Sequence, residues 1–414
     1  MYRFVGMLKY LPRSWKPTVL TVEEQPGDVL DASLLEGFPE DVEIVRTPQV
    51  SFERMEGAPG MKAAAATLRG SHDATPPLWY RGARRLAEWF RSVVYFPDAL
   101  TPWIPVAVKE AARLHRRRRF DLVYTSSPPR STVLVGFCCK VLLRLPWVVE
   151  FRDPWYPAPS RLRAWLERKL LRLLLRSSDQ IVANAEGIAD ELANGYSLPR
   201  ERISVISNGF DEAQFKGVAS KASMLPAGFF HLTHFGTVYP RNCGEFFPAV
   251  GELLEQEPEL AERVRINIVG ENFDPEVSRL AGSNGWKNVL RTYPFIPQPE
   301  ALREMQHSDC LLLFLARPEM SRLSGLGKIF WYLRAGRPVL AIAPEGGCRT
   351  LVETAGAGWA VNPRDRAEIV AALRAILASR DQSWPKRPDY LVQFRYENLA
   401  KRLGDVLDAA VADG

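Results

Sequence analysis

An α/β fold of two Rossmann-like, doubly wound parallel-sheet domains is what this sequence predicts. Three observations carry that expectation. Short apolar β-type runs alternate with helical patterns through the whole second half. The first half shows the same grammar, and the turn-forming triplet Ser207-Asn208-Gly209 lies between the two. A chain of 414 residues is long enough for two such cores.

In chain order, a helical pattern over Tyr2–Leu11 comes first, with no strand and no glycine-rich turn before it. A doubly wound domain usually begins on its central strand, so this lobe is expected to be incomplete at its start, by truncation or by loss of the first strand. Strand-like runs follow at Thr18–Val22, Val42–Arg46, Asp121–Thr125, Trp147–Phe151, Gln180–Ala183 and Arg202–Ile206, with helical patterns at Arg130–Arg144 and Arg161–Arg176. Beyond the triplet, strand runs are expected at Phe230–Gly236, Arg265–Gly270, Val289–Phe295, Cys310–Ala316, Pro338–Ala343 and Trp359–Val361. Helices are expected at Glu245–Glu255, Glu300–His307, Gly327–Ala335 and Arg366–Leu377. Strands apolar almost throughout imply a sheet covered on both faces. Ligands then bind at the strands' carboxyl ends, which makes the loops after Gly236, Gly270, Phe295, Ala316 and Ala343 candidate site walls. The run Trp384-Pro385-Lys386-Arg387-Pro388 breaks the rhythm before a last helix at Glu397–Val411. The expected units are 1–208, 209–390 and a C-terminal helical segment 391–414.

Composition narrows the function. Apolar residues make up 46% and charged residues 25%, a globular balance. The five cysteines fall in no CxxC or Cys/His ligand spacing, which argues against a zinc module and a disulfide framework. No signal peptide is visible, and the most apolar stretch, Ser131–Phe151, is interrupted by Lys140, Arg144 and Pro146. A soluble, cytoplasmic protein is expected. The net charge of +6 is concentrated up to Asn208, where 30 Lys+Arg face 23 Asp+Glu. Such a half suits an anionic partner, an anionic membrane surface at its inner face among them, whereas no nucleic-acid motif accompanies the charge. The run His115-Arg116-Arg117-Arg118-Arg119 reads equally as a solvated helix end. The helix Arg161–Arg176 carries six basic residues beside Leu162, Trp165, Leu166, Leu170 and Leu173. It suits a membrane surface, but the expectation is that its apolar stripe packs on the sheet while its arginines face water.

Several segments together resemble the retaining GT-B glycosyltransferases that use nucleotide-sugar donors. They are Asp121-Leu-Val-Tyr-Thr-Ser-Ser-Pro-Pro129, Pro146-Trp-Val-Val-Glu-Phe-Arg-Asp-Pro-Trp155, Val205-Ile-Ser-Asn-Gly-Phe-Asp211 with Phe215, Phe235-Gly-Thr-Val-Tyr-Pro-Arg241 and Gly327-Lys-Ile-Phe-Trp-Tyr-Leu-Arg-Ala-Gly-Arg-Pro-Val-Leu340. The second is similar to a bacterial branch in which a strand ends in an Arg-Asp-Pro-Trp turn. The resemblance implies two Rossmann-like domains facing across a cleft, with the C-terminal helix crossing back to the first. It implies transfer of a sugar, with retention, to a cytoplasm-facing acceptor such as a lipid-linked or surface-polysaccharide precursor. No metal and no cofactor beyond the donor itself are implied.

The residue chemistry is compatible. A diphosphate leaves as an anion and needs donors aimed at it. The Gly236-Thr237 turn after a strand lets the backbone approach phosphate, and Arg241 matches the family's donor-phosphate arginine. The loop Ser324-Gly325-Leu326-Gly327-Lys328 precedes a helix whose amides and N-terminus suit a diphosphate, with Lys328 adding a point charge. The resemblance puts Gly270, Glu271, Tyr293 and Trp331 at the nucleotide pocket. The resemblance implies that the Arg152-Asp153-Pro154-Trp155 turn faces the acceptor, where Asp153 would take the acceptor's proton with Arg152 beside it; the alternative is that Asp153 caps the following helix or pairs with Arg152. Asn208 and Gly209 read as hinge formers.

Two departures qualify this. Where the family commonly has a pair of glutamates eight residues apart, this chain has Leu323 and Trp331. An indole donates one hydrogen bond and cannot accept the two that a ribose diol offers. The first strand and its glycine-rich loop are also not seen. A non-catalytic GT-B scaffold or partner protein that has lost donor binding is therefore the alternative expectation, with a sugar-nucleotide epimerase behind it.

Overall fold

The computed structural model describes residues 2–24, 37–49, 96–155, 160–217, 222–315, 327–379 and 382–412. The sheet of the second half comprises β7 (Phe230–Phe235), β8 (Val264–Val269), β9 (Leu290–Tyr293), β10 (Cys310–Phe314), β11 (Val339–Ile342) and β12 (Gly358–Val361). All neighbours are parallel, in the order β12-β11-β10-β7-β8-β9. Counted from β7, that is the doubly wound order 3-2-1-4-5-6, and the direction of winding reverses between β7 and β10. Every residue of β7, β8, β10 and β11 is buried, as strands covered on both faces require. One face packs Phe246, Ile266, Leu312 and Phe314, the other Phe330, Leu311, Leu313 and Ala341, the period-two split of a strand.

In the first half, β3 (Val123–Ser127), β4 (Trp147–Phe151), β5 (Gln180–Ala183) and β6 (Ile203–Val205) form a parallel sheet in sequence order. Helices α1 (Tyr2–Tyr10), α2 (Ile104–Arg117), α3 (Ser131–Leu143), α4 (Arg161–Ser177) and α5 (Glu186–Tyr196) accompany it. The expected runs Thr18–Val22 and Val42–Arg46 do form strands, β1 (Thr18–Val22) and β2 (Glu43–Thr47), but as a separate two-stranded parallel sheet. Side chains join it to the larger sheet in place of ladder bonds: Leu20 and Val22 meet Trp103, Ala107, Val135 and Val123 through α2. Trp103 Nε1 also donates to Thr47 Oγ1 at 2.8 Å.

The second half adds α6 (Phe246–Gln256), α7 (Pro275–Ala281), α8 (Gln298–His307), α9 (Gly327–Arg334), α10 (Gly347–Ala355), α11 (Arg366–Ala378) and α12 (Tyr396–Ala412). Helix α12 does not stay with its own sheet. Tyr396, Leu399, Leu403 and Leu407 pack with Met7 of α1 onto Val148 and Val182, so α1 and α12 together cover one face of the four-stranded sheet. Two glycines let them close: a Cβ on Gly6 would stand 2.3 Å from the Tyr396 ring, and one on Gly404 would stand 2.8 Å from Pro12.

The Ser207-Asn208-Gly209 segment is not the turn its composition suggests. It pairs through a single bridge with the segment that leads into α12: Phe210 N donates to the Phe394 carbonyl at 3.1 Å and Tyr396 N to the Phe210 carbonyl at 3.0 Å. A Cβ on Gly209 would sit 2.2 Å from the Phe394 carbonyl oxygen, so glycine serves close chain approach here.

Helix α4 also differs from expectation. Its sheet-facing side is Glu167, Leu171, Leu174 and Leu175, while Leu162, Trp165, Leu166 and Leu173 are exposed. The helix has two apolar stripes, and the leucine-rich one nearer its C-terminus fills the gap over β4 and β5.

Candidate functional site

The site grows from the carboxyl ends of β7, β8 and β9. Gly236 follows β7 with φ +114° and Gly270 follows β8 with φ +133°, both in the region that favours glycine. Gly236 N donates to the Val269 carbonyl at 2.8 Å and Gly270 N to the Tyr293 carbonyl at 3.0 Å, which aligns the three strand ends. Val238 N donates to the Glu271 carbonyl at 2.9 Å and carries the alignment past the turn. A Cβ on Gly270 would lie 2.9 Å from the Gly236 carbonyl oxygen. Gly270→Ala is therefore expected to destabilise the fold by about 1–3 kcal/mol, combining backbone strain with displacement of the Gly236 turn. Urea unfolding checks this; a loss within a few tenths of a kcal/mol would contradict the packing of the two turns.

Lys328, in the first turn of α9, reaches into this corner. Its Nζ donates to the Phe235 carbonyl at 3.0 Å and stands 3.1 Å from where a Cβ on Gly236 would be. Burial lowers its pKa from 10.5 to about 8. On its other side lies His234 Nε2 at 3.4 Å. His234 is buried, and its Nδ1 is 2.9 Å from the Leu312 carbonyl, which makes Nδ1 the protonated nitrogen and leaves the Nε2 lone pair toward the ammonium. Burial and the Lys328 charge hold its pKa well below the ordinary histidine value, so it stays neutral. The bond from His234 to Leu312 spans β7 and β10, the strands between which the winding reverses. Sequence reasoning missed His234; a histidine one residue from the carboxyl end of a buried strand run was the available signal. Tyr332, also missed, braces the strand end: its hydroxyl accepts from Phe235 N at 2.8 Å.

Arg241 lies in the turn after β7, not at a helix start, since α6 begins at Phe246. Its φ of +64° is unusual for a side-chain-bearing residue, and its amide donates to Asp274 Oδ2 at 3.0 Å. Asp274 also caps α7 through Glu276 N, so one carboxylate ties the turn to the next helix. The Arg241 guanidinium is exposed and makes no ion pair among the described residues. The neighbouring Asn242 amide nitrogen donates to the Phe314 carbonyl at the end of β10 (3.0 Å), so this turn crosses the same strand ends.

The structure thus brings Gly236, Thr237, Gly270, Glu271, Tyr293 and Lys328 to one sheet end, with Gly327 opening α9. A Cβ on Gly327 would be 4.0 Å from Asn208 Nδ2, which sets the Ser207-Asn208-Gly209 segment against the start of that helix. Ser324 and Gly325 lie outside the described residues. Trp331, one turn into α9, is partly buried and meets the Tyr2 ring edge-on at 4.9 Å between centroids. The tryptophan therefore joins α9 to α1 through an aromatic contact.

Asp153 and Arg152 follow β4, whose end is aligned by Arg152 N donating to the Ser127 carbonyl at 2.8 Å. Arg152 does not pair with Asp153; its guanidinium donates to the Pro128 carbonyl and lies over the Phe4 ring, 5.7 Å from its centroid. Asp153 forms no helix cap among the described residues and is exposed at the end of the strand. Desolvation by its surroundings raises the carboxyl's pKa, against the opposing pull of the Arg152 charge. A carboxyl moved in that direction is a better proton acceptor.

Residues 66–214 match a family model described as Glycosyltransferase Family 4. Among curated proteins, a D-inositol 3-phosphate glycosyltransferase of Nocardioides sp. is 28% identical over 261 residues, covering 58% of this chain and 56% of that protein. One from Thermobispora bispora is 28% identical over 248 residues, covering 56% of each. The chain therefore spans about half the length of the curated relatives it matches. Among solved structures, Anabaena Alr3699/HepE in complex with UDP is 16% identical with a TM-score of 0.60, covering 95% of this chain and 100% of that one. The OtsA apo structure is 13% identical with a TM-score of 0.64, covering 95% and 99%. These likenesses establish the fold, α/β with two Rossmann-like parallel-sheet lobes of the GT-B kind.

Proposed function

We propose that this chain is a glycosyltransferase that moves a sugar from a nucleotide-sugar donor to a hydroxyl acceptor with retention. The lipid-linked or surface-polysaccharide precursors named above are the acceptor class that suits it. The observation that carries this reading is the half-buried Lys328 ammonium, held at the glycine-lined end of β7 where the winding of the sheet reverses. Such a place suits a diphosphate: backbone approaches closely, a helix begins, and a cation is already desolvated. The curated relatives are named as glycosyltransferases, and one structural relative was solved with UDP, which supports a nucleotide donor.

In the chemistry this implies, the acceptor oxygen bonds to the anomeric carbon as that carbon's bond to the diphosphate oxygen breaks. The electron pair leaves on the diphosphate, where Lys328 and Arg241 offset its charge. The acceptor proton passes to Asp153, or to the departing phosphate.

Trp331 supports the second reading, a non-catalytic relative, because its indole is engaged by Tyr2 and offers no acceptor to a ribose. Calorimetric titration with UDP, GDP and ADP separates the two. Micromolar binding of one nucleotide is the expected result and names the donor class. Absence of binding by a folded chain, with binding created in Trp331→Glu, would instead establish the non-catalytic reading.

A further inference from the structure

The outward face of α4 lies apart from this site and is of a different kind. Leu162, Trp165, Leu166 and Leu173 are 68%, 55%, 45% and 53% exposed. With Lys169 they recur at i, i+3, i+4, i+7 and i+11, so one continuous stripe runs the length of the helix away from the sheet. Beside it on one flank Arg161, Arg168 and Arg172 recur at i, i+7 and i+11, and Arg176 is exposed at the far end. The only acid of the helix, Glu167, is buried against the lobe, where it takes Arg163 at 3.0 Å and Arg130 at 3.4 Å. The exposed face of α4 itself therefore carries basic charge and no acidic side chain. Helix α3 also exposes apolar side chains, Val141 and Leu142, at its C-terminal end. A bond from Lys140 Nζ to Asp179 Oδ1 at 2.6 Å holds that end beside the end of α4.

We propose that this face docks the protein on an anionic lipid bilayer, with α4 lying in the plane of the interface. The leucines and Trp165 would enter the boundary between headgroups and acyl chains while the arginine row meets lipid phosphates. Lys169, whose Nζ lies 5.7 Å from the centre of the Trp165 ring, has the long stem that lets an ammonium rise to the headgroups above a buried apolar surface. Charge selects this occupant. A second copy of the chain would set the same basic row against itself, and a nucleic acid would leave the leucine stripe unused. Among the described residues no helix is long and apolar enough to cross a membrane. The inference does not depend on the donor site.

The test is cosedimentation of the full chain with phosphatidylcholine vesicles, with and without 30% phosphatidylglycerol. Binding is expected to need the anionic lipid and to fall steeply with salt. Leu162→Ser/Leu166→Ser/Leu173→Ser should weaken it at least about tenfold, and Arg161→Gln/Arg168→Gln/Arg172→Gln by on the order of a hundredfold. The targeted leucines and two of the arginines are exposed, so both variants should melt near wild type; if one does not, the other decides. With brominated lipid, fluorescence quenching should be present in wild type and reduced in Trp165→Phe. Equal binding to neutral vesicles, no binding to either, or undiminished binding by both variants would overturn the proposal. So would a vesicle-free dimer dissolved by Leu166→Asp, or tighter binding to single-stranded DNA than to anionic vesicles.

Discussion

Replacing Lys328 with methionine is expected to slow sugar transfer severely while making the protein more stable. The ammonium is held in a corner that desolvates it, and its pKa falls from 10.5 to about 8. Keeping that charge costs the folded state, and the stem that reaches the corner is one methionine can replace. Between pH 8 and 10.5 the unfolded chain holds a proton that the folded chain has lost, so wild-type stability rises with pH across that window. The variant lacks that rise and should melt higher at neutral pH. Loss of one preorganised donor to a developing anion lowers turnover by roughly 10²–10³-fold. Nucleotide affinity in wild type should also weaken as pH climbs through about 8, because the neutral amine no longer attracts the diphosphate. Titrating nucleotide at pH 6.5 and pH 9 in both proteins checks this. A Lys328→Met protein that binds nucleotide like wild type would remove the site assignment. Arg241→Ala is expected to lose turnover without any gain in stability, since its guanidinium is exposed and its amide bond to Asp274 survives the change.

Arg3→Ala is expected to cost about 3–5 kcal/mol of stability, because it strips a buried carboxylate of its partner. Arg3 and Glu150 are 5% and 1% exposed, with Arg3 Nε donating to Glu150 Oε1 at 2.7 Å. The same guanidinium donates to the carbonyls of Ile206 (2.8 Å) and Ser207, and Ser126 Oγ donates to Glu150 Oε2 at 2.6 Å. Burial pushes the Glu150 pKa up, but the Arg3 charge and the bonds from Ser126 and Arg3 outweigh it, leaving it below 4.5. Its contribution in wild type is therefore complete above that value and is lost as pH falls through the lowered one. In Arg3→Ala burial acts unopposed by the guanidinium, so protonating Glu150 relieves the variant. The stability gap between the two proteins should narrow from pH 7 toward pH 4, by chemical denaturation. A gap that stays constant would show that Arg3 acts through packing and not through charge. The effect should reach the segment just after Gly209, since Lys9 and Tyr10 of α1 also hold Asp211, each at 2.7 Å.

The strands were the most legible part of the chain. Trp147–Phe151 and Gln180–Ala183 form with the expected bounds, and the six strands of the second half differ from expectation by no more than two residues at either end. A strand buried on both faces needs an unbroken apolar run, and few other structures do. The glycines after β7 and β8 were legible for a similar reason, because only glycine readily takes those backbone angles. Helices α2, α5, α7 and α10 are not among the expected elements, although the basic run from His115 does fall at the C-terminal end of α2, and α7 is only seven residues long. Local propensity favours a turn at Asn208-Gly209, whereas the fold uses the missing side chain to pass Phe394.

The sequence by itself determined the layered α/β architecture, the glycine turns and the basic character of the first half. Those follow from periodicity, backbone freedom and charge, which are local or additive properties. Only the tertiary structure decided which apolar stripe of α4 meets the sheet, since both stripes satisfy the same helical period and the choice rests on what stands opposite. The tertiary structure likewise set His234 beside Lys328, 94 residues apart in the chain, and turned Arg3 inward onto Glu150. Contacts of that kind leave no local pattern, because their energy exists only when distant segments share one desolvated place.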